Sequence, residues 1–132
     1  MRGTLLVIAV TLAALGFTSV VVVWGRDSAV LVPPPESVAE QFVRQLATRR
    51  YDRALQYVDE DSHMSLATVR AAAEALHERV GAINVVEGRP GYIAGERASA
   101  TAALLTEDAG EITEAFTMVR RNGLWKIVEW RR

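Results

Sequence analysis

The stretch RRNGLWKIVEWRR, residues 120–132, contains the strongest turn signal in the chain. Its Asn-Gly pair suits a two-residue type I′ turn, in which both central residues have positive φ angles. Side chains alternate between the two faces of a strand, so Trp125 and Ile127 are predicted to share one face. Leu124, Val128 and Trp130 are then predicted to lie on the other. Both faces of the final strand are partly apolar, and what covers each face is the main functional question.

A two-residue turn also fixes which residues of the two strands lie opposite each other. The predicted pairs are Arg121 with Leu124, Arg120 with Trp125, Met118 with Ile127, Phe116 with Glu129, and Glu114 with Arg131. Phe116 and Met118 therefore join Trp125 and Ile127 on one face. We expect this face to be covered by helices.

Glu114 is a carboxylate that this register places on the apolar face, among Ile112, Phe116 and Ala102. A carboxylate buried there could act as a general base, because burial disfavours its charged form. The register also places Arg131 opposite Glu114, at the open end of the hairpin. A structural ion pair between Glu114 and Arg131 is the simpler interpretation.

The opposite face of the last two strands is predicted to be a partner surface. Trp and Arg are the residue types enriched at binding hot spots, and Trp130 would provide the large side chain at the centre of this surface. The alternative is an ordinary surface, since single exposed apolar residues are common. The predicted surface consists of Ala115, Thr117, Lys126, Val128 and Trp130.

Three segments before residue 82 have the spacing of helices. Val38, Phe42 and Leu46 recur on one face of the first helix, and Asp52 is a plausible N-cap of a short second one. The third runs from Ser65, a predicted N-cap, to a stop at Gly81. Its apolar positions are Leu66, Val69, Ala73, Leu76 and Val80.

From residue 83 onward the hydrophobic period changes to two, which indicates strands. The predicted strands are residues 83–88, 96–105, 111–121 and 124–130, with GRPGYIAG at 88–95 as an irregular connection. Ala98, Ala100, Ala102 and Leu104 are expected on the helix-covered face. The fold class is therefore α+β: an N-terminal transmembrane helix, then three helices packed on a curved antiparallel sheet of about four strands.

The N-terminal region carries a long uncharged run, residues 5–24. A helix of about 20 apolar residues can cross the hydrocarbon layer of a membrane. We predict a transmembrane signal anchor over residues 1–25, a proline-rich spacer over 26–35 and the α+β domain over 36–132. The alternative is a cleaved signal peptide, which has a shorter apolar run and a small-residue cleavage site. The predicted anchor residues are Leu5, Leu6, Ile8, Leu12, Leu15, Phe17, Val21 and Trp24.

Few charges flank this run. Arg2 precedes it, whereas Arg26 is followed at once by Asp27, so the positive-inside rule favours a cytoplasmic N-terminus. The predicted location is the bacterial cytoplasmic membrane, crossed once, with the C-terminal domain outside. The chain contains no cysteine, so disulfides and a lipidated cysteine are excluded.

Charge and motifs indicate no nucleic-acid partner, cofactor, metal or catalytic set. The net charge of −1 gives no general attraction to nucleic acid. DEDSH, residues 59–63, could supply metal ligands or an acid/base cluster, but a solvated linker between helices is the simpler interpretation. His77 lies off the apolar stripe of the third helix and is expected to be exposed.

The order of elements, with YDRALQYV (51–58) opening the second helix and NGLWKI (122–127) opening the last strand, resembles the nuclear-transport-factor-2-like, cystatin-like superfamily. The resemblance covers about residues 37–130 and is closest to bacterial anchored or secreted members. It implies a cone of sheet wrapped around helices. Its branches include isomerases, dehydratases, binding modules and subunits of membrane machines. Arg49-Arg50 stands where members often have a Gly-Asp or Gly-Asn turn, so the junction of the first two helices is expected to differ.

The predicted function is a non-catalytic, membrane-anchored interaction module, a subunit or accessory factor of a larger membrane or envelope assembly. Its expected partners are the lipid bilayer and other membrane subunits, or a second copy bound through the outer sheet face. Two alternatives stay open: an extracytoplasmic domain that binds a small apolar ligand, and an isomerase- or dehydratase-like enzyme. The cavity between helices and sheet would distinguish them.

Overall fold

The structure, a computed structural model, describes residues 21–25 and 28–131. A strand hairpin comes first, then three helices, and then an antiparallel sheet in chain order β3-β4-β5-β6. The elements are β1 (Val21–Gly25), β2 (Ser28–Val32), α1 (Pro35–Ala47), α2 (Tyr51–Ala54), a 3₁₀ turn (Leu55–Tyr57), α3 (Leu66–Val80), β3 (Ile83–Ala94), β4 (Arg97–Thr106), β5 (Gly110–Arg121) and β6 (Leu124–Arg131). The predicted α+β class and the four-stranded antiparallel sheet are confirmed.

The N-terminal prediction needs correction where the structure describes it. Val21 and Trp24 lie in β1, which pairs antiparallel with β2, so a helix continuing through Trp24 is wrong. A run of β-branched valines favours a strand, because the branched side chain restricts χ1 more in a helix. The predicted spacer likewise contains β2. Leu5, Leu6, Ile8, Leu12, Leu15 and Phe17 lie outside the described residues. Among the described helices, none has the length and apolarity to span a bilayer.

Local signals account well for α1 and α3. Val38, Phe42 and Leu46 are buried along α1, as predicted. The predicted cap of α3 is confirmed: the Ser65 hydroxyl accepts a hydrogen bond from the Thr68 backbone N–H, and the Thr68 hydroxyl accepts one from the Ser65 N–H. Gly81 ends the helix with φ at 75°. The third helix therefore follows from its sequence at both ends.

The junction between α1 and α2 is built by side chains. Arg49 adopts a left-handed backbone, with φ at 60°, where a glycine would be unstrained. Its guanidinium donates to the Glu74 carboxylate of α3 at 3.0 Å, and the Tyr51 hydroxyl donates to the same carboxylate. The residue that precedes α2 is Arg50, so the prediction of Asp52 as the N-cap is wrong. These contacts hold the chain reversal against α3.

The core lies between the helices and one face of the sheet. The predicted alternation of β4 is confirmed, since Ala98, Ala100, Ala102 and Leu104 are all buried on this face. The largest fully buried side chains include Phe42, Leu46, Leu104, Phe116, Met118 and Ile127. Residues 88–95 were predicted to be irregular, but β3 continues to Ala94 with a register shift between Pro90 and Ile93.

The β5–β6 hairpin departs from the predicted register halfway along. The Asn122-Gly123 turn is confirmed, with φ angles of 53° and 80°. Pairing follows the prediction as far as Met118 with Ile127 and then shifts by one residue at a bulge. Beyond the bulge, the partners are Thr117 with Glu129, Phe116 with Trp130 and Ala115 with Arg131. Trp130 therefore moves to the helix-covered face, where burial of its ring compensates for the interrupted ladder.

Candidate functional site

The register shift removes Trp130 from the predicted partner surface. Trp130 is half-buried and packs against the core, with ring centroids 5.7 Å from Phe42 and 6.2 Å from Phe116. Its indole N–H donates to Glu114 Oε1 at 2.6 Å. The prediction that Trp130 lies on the outer face is wrong, because the bulge places it opposite Phe116.

The other members of that predicted surface remain on the outer face, but none of them is a large exposed apolar side chain. Thr117 is buried, and Ala115 and Val128 are half-buried. Lys126 turns to the sheet edge, where its ammonium donates to the Gln56 carbonyl oxygen at 2.6 Å. Without Trp130, this patch lacks the large central side chain that made it a candidate site.

The predicted ion pair between Glu114 and Arg131 is also corrected. Arg131 lies opposite Ala115, and its guanidinium approaches Glu129 at 3.9 Å. Glu114 is 2 % exposed and accepts the Trp130 indole N–H. The same one-residue shift causes both differences.

Two other predicted positions differ from expectation. His77 is buried, and its Nε2 lies 3.0 Å from the Leu46 carbonyl oxygen at the end of α1. Since a carbonyl oxygen only accepts, Nε2 carries the proton in this contact. Asp59, predicted to lie in a solvated linker, is also buried. Within the described ranges, no three His, Asp or Glu side chains are grouped to hold a metal ion.

Asp59 attaches the segment after the 3₁₀ turn to the edge of β6. Its backbone N–H donates to the Ile127 carbonyl at 2.8 Å, and Val58 forms a parallel bridge with Ile127. Arg121 Nε and Nη2 donate to its two carboxylate oxygens at 2.9 and 3.4 Å. The hydrogen bond from Arg121 is the main cause that lowers the pKa of Asp59. The pair fixes the position of this segment beside the hairpin.

Stability from the Asp59–Arg121 pair should depend on pH in the acid range. Because the pKa of Asp59 is lowered from 3.8, the pair stabilises the fold above that value, and the contribution is lost as pH falls through the lowered pKa. We expect Asp59→Asn to be less stable than the parent at neutral pH, with the gap narrowing in acid. Urea unfolding across the acid range measures this gap.

Asp61→Asn is the matched control for this prediction. The Asp61 side chain is 84 % exposed and lies 3.9 Å from Arg121, so its loss should leave unfolding close to that of the parent. A gap between the parent and Asp59→Asn that widened on acidification would contradict the proposed role of the pair.

Two adjoining pockets lie where the hairpin tip meets the 3₁₀ turn. The first is mostly apolar, with a volume of about 340 Å³, and is lined by Pro33, Ser37, Val38, Gln41, Gln56, Tyr57, Leu124, Trp125 and Lys126. The second, of about 600 Å³, is lined by Leu55, Gln56, Val58, Asp59, Glu60, Asp61, Arg121, Asn122, Leu124 and Lys126. Gln56, Leu124 and Lys126 line both pockets. We call the combined feature the hairpin groove.

The elements around the groove follow from local sequence. The Asn-Gly turn ends β5 and begins β6 at Leu124, whose side chain is 45 % exposed at the rim. Trp125 is buried next to it, with the Arg120 guanidinium 5.1 Å from its ring. The contact of Lys126 with the Gln56 carbonyl joins β6 to the 3₁₀ turn. The groove therefore has an apolar floor and a charged rim.

Sequence reasoning missed the groove, although Leu124 carried a local signal. A leucine directly after an Asn-Gly turn lies at the tip of a hairpin, where only a neighbouring segment can cover it. In the structure that segment is the 3₁₀ turn, and it covers Leu124 only in part. An exposed leucine beside a buried tryptophan is thus the feature that points to this site.

Solved structures with a similar fold were found. A Campylobacter jejuni protein named as an NTF2-like transpeptidase matches with a TM-score of 0.57 and 16 % identity, over 70 % of this chain and 95 % of that one. A Mesorhizobium loti protein named as a SnoaL-like polyketide cyclase matches with a TM-score of 0.42 and 16 % identity, over 71 % and 93 %. No family model and no curated protein matches the chain. At this identity the similarity concerns the fold alone, and the chain has the predicted nuclear-transport-factor-2-like fold.

Proposed function

We propose that this chain is a non-catalytic interaction module that binds a partner protein in the hairpin groove. The observation that carries the proposal is the exposed Leu124 at the rim of two adjoining pockets, above the buried Trp125. Interface hot spots typically combine an apolar pocket with a polar rim that limits solvent access. The outer sheet face fits this description less well, because Trp130 is not part of it.

The packing between the helices and the sheet also favours a non-catalytic role. Phe42, Phe116 and Met118 fill the space between α1 and the sheet and are 0 % exposed. Glu114, the carboxylate considered as a general base, is 2 % exposed and bonded to Trp130. A general base needs to lie within hydrogen-bond reach of its substrate. Enzyme activity is therefore less well supported than protein binding.

We further propose that the module is held at the bacterial cytoplasmic membrane, outside the cell interior, as part of a larger envelope assembly. The support is in the sequence. Residues 3–20 carry no charge, and a segment of 18 residues is long enough to cross the hydrocarbon layer of a membrane. Retention of the chain in membranes after alkaline carbonate extraction, with protease digestion in spheroplasts, is expected. A soluble domain, or one fully protected from protease, would contradict this location.

A small apolar ligand is the second candidate occupant of the groove. The specific observation that favours it is the apolar pocket of about 340 Å³, a size within the range of small-molecule sites. Such a ligand would use only this pocket, whereas a protein would also contact the polar pocket. Leu124 lines both pockets, so recovery of a protein with the tagged chain is what separates the two candidates.

The test is a matched pair of leucine substitutions. Leu124 and Leu105 are 45 % and 47 % exposed, and Leu105 lies on the outer sheet face, away from the groove. We expect Leu124→Glu to reduce recovery of the partner with the affinity-tagged chain by about tenfold or more, since a carboxylate replaces apolar contact. Quantitative mass spectrometry of proteins recovered from the source cell provides the measurement.

Leu105→Glu should retain the partner at the parental level. Both variants should melt close to the parent, because neither side chain is part of the buried core. Equal recovery with Leu124→Glu and the parent would contradict the groove as the binding site.

A further inference from the structure

The chemistry of the hairpin groove indicates which kind of partner it accepts. Resting on the function proposed above, we propose that its occupant is an extended peptide segment with a large apolar side chain next to a lysine or arginine. The apolar pocket would take the first side chain, and the rim of the polar pocket would take the second. The supporting observations are the apolar lining of one pocket and the excess of carboxylates over cations in the lining of the other.

The apolar half provides a pocket for one large side chain. Val38 from α1, Tyr57 from the 3₁₀ turn and Trp125 from β6 line it together. Three different elements therefore fix its walls. Gln41 and Gln56 also line it, and their side-chain amides could bond the backbone of an extended segment.

Both cations of the polar half are already engaged within the domain. Arg121 donates to both carboxylate oxygens of Asp59, at 2.9 and 3.4 Å. Lys126 donates to the Gln56 carbonyl oxygen at 2.6 Å. Each cation keeps further N–H donors after these contacts, so an acidic segment is disfavoured by the carboxylates that line the pocket and not by a lack of donors.

Two carboxylates of the polar half remain available. Glu60 forms no ion pair with any residue that the structure describes, and Asp61 approaches Arg121 only to 3.9 Å with 84 % of its side chain exposed. The polar pocket is lined by three carboxylates, Asp59, Glu60 and Asp61, and by two cations, Arg121 and Lys126, so its formal charge is −1. Charge complementarity favours a cationic residue, and opposite charges across an interface also discriminate against acidic competitors.

A peptide accounts for both halves at once. The two pockets share Gln56, Leu124 and Lys126, so adjacent side chains of one chain can occupy them together. An arginine or lysine next to an apolar residue is thus the simplest sequence that can occupy both pockets.

The experiment uses the whole chain in neutral detergent and capped tetrapeptides, Ac-Gly-Leu-Lys-Gly-NH₂ and the corresponding peptides with Glu or Ser at the third position. Amide chemical shifts in ¹⁵N spectra report the binding site and the affinity. We expect the Lys peptide to shift Leu124 and Trp125 and to bind about tenfold more tightly than the Glu peptide. High salt should reduce this preference, because exposed charges are screened.

Two double variants test the role of the carboxylates. Glu60→Gln with Asp61→Asn should abolish the preference for Lys, since both groups line the polar pocket. Asp52→Asn with Glu78→Gln changes the charge equally at exposed positions that do not line the groove, and should preserve the preference.

The outcomes separate this inference from the proposed function. Equal or tighter binding of the Glu peptide at Leu124 would overturn the inferred chemistry and leave the groove as a binding site. Failure of every peptide to shift Leu124 and Trp125 would also overturn it. The partner-recovery experiment with Leu124→Glu uses no peptide and therefore tests the proposed function separately.

Discussion

Replacing Trp130 with alanine is expected to lower the free energy of unfolding by about 3–5 kcal/mol, the range for a large aromatic side chain removed from a core. Phe42 and Phe116 would lose an aromatic neighbour at 5.7 and 6.2 Å. Glu114, buried beneath the ring, would lose the hydrogen bond from the indole N–H. Loss of that donor adds to the cost because the carboxylate is shielded from water.

Urea denaturation of Trp130→Ala, followed by far-UV circular dichroism, measures the loss. Trp130→Phe is the companion variant, because it keeps an aromatic ring but removes the N–H donor together with one ring of the indole. It should lose about 1–3 kcal/mol, the cost of removing a hydrogen-bond donor from a buried acceptor, and less than Trp130→Ala. An unchanged urea midpoint for Trp130→Ala would indicate that Trp130 lies on the outer face and would contradict the bulge.

Gly88→Ala is expected to have the second-largest effect on stability. A Cβ at this position would lie 2.0 Å from the Glu36 carbonyl oxygen and 3.1 Å from the Glu40 Cβ. The obstructing atom belongs to the α1 backbone, so α1 would have to move away from β3. The Gly88 N–H also donates to Glu40 Oε1 at 2.9 Å, a contact that this movement would stretch. We expect a loss of about 3 kcal/mol, at the upper end for overpacking.

Gly95→Ala is the control for this substitution, and chemical denaturation of both variants gives the comparison. Gly95 has φ at 62° with no atom within 4 Å of an added Cβ, so only backbone strain opposes the alanine. Its cost should be about 1 kcal/mol. If Gly88→Ala proved no more costly than Gly95→Ala, the close approach of α1 to β3 would be wrong.

The features that the sequence predicted correctly depend on local chemistry. The Asn122-Gly123 turn follows from the need for positive φ at two successive residues. Both ends of α3 follow from Ser65, which satisfies the first backbone N–H groups, and Gly81, which adopts positive φ. Each of these signals lies within a few residues of the element that it controls.

The features that were predicted wrongly depend on contacts distant in sequence. The bulge in β6 forms because Trp130 can pack on Phe42 of α1, and an alternation rule within β6 does not include that contact. His77 is buried because its ring reaches the Leu46 carbonyl oxygen on another helix. Gly88 resembles a turn glycine in sequence, whereas its role is to allow the close approach of α1 to β3. Tertiary packing decides all three.

The candidate site could not be predicted from the sequence for the same reason. Its lining comes from residues near 33–41, 55–61 and 121–126, three segments that no local pattern connects. The acidic stretch after residue 58 was noted, but its division into the paired Asp59 and the exposed Asp61 depends on Arg121. Only the folded chain brings these groups together.

Photo-cross-linking from position 124 in the source cell tests the central claim most directly. A benzoylphenylalanine replaces Leu124 in one version of the whole chain and Leu105 in another, since the two leucines are similarly exposed. We expect one discrete cross-linked protein partner from position 124 and none from position 105. The same product from position 105 alone, or a product from neither position, would contradict the hairpin groove as the site of partner binding.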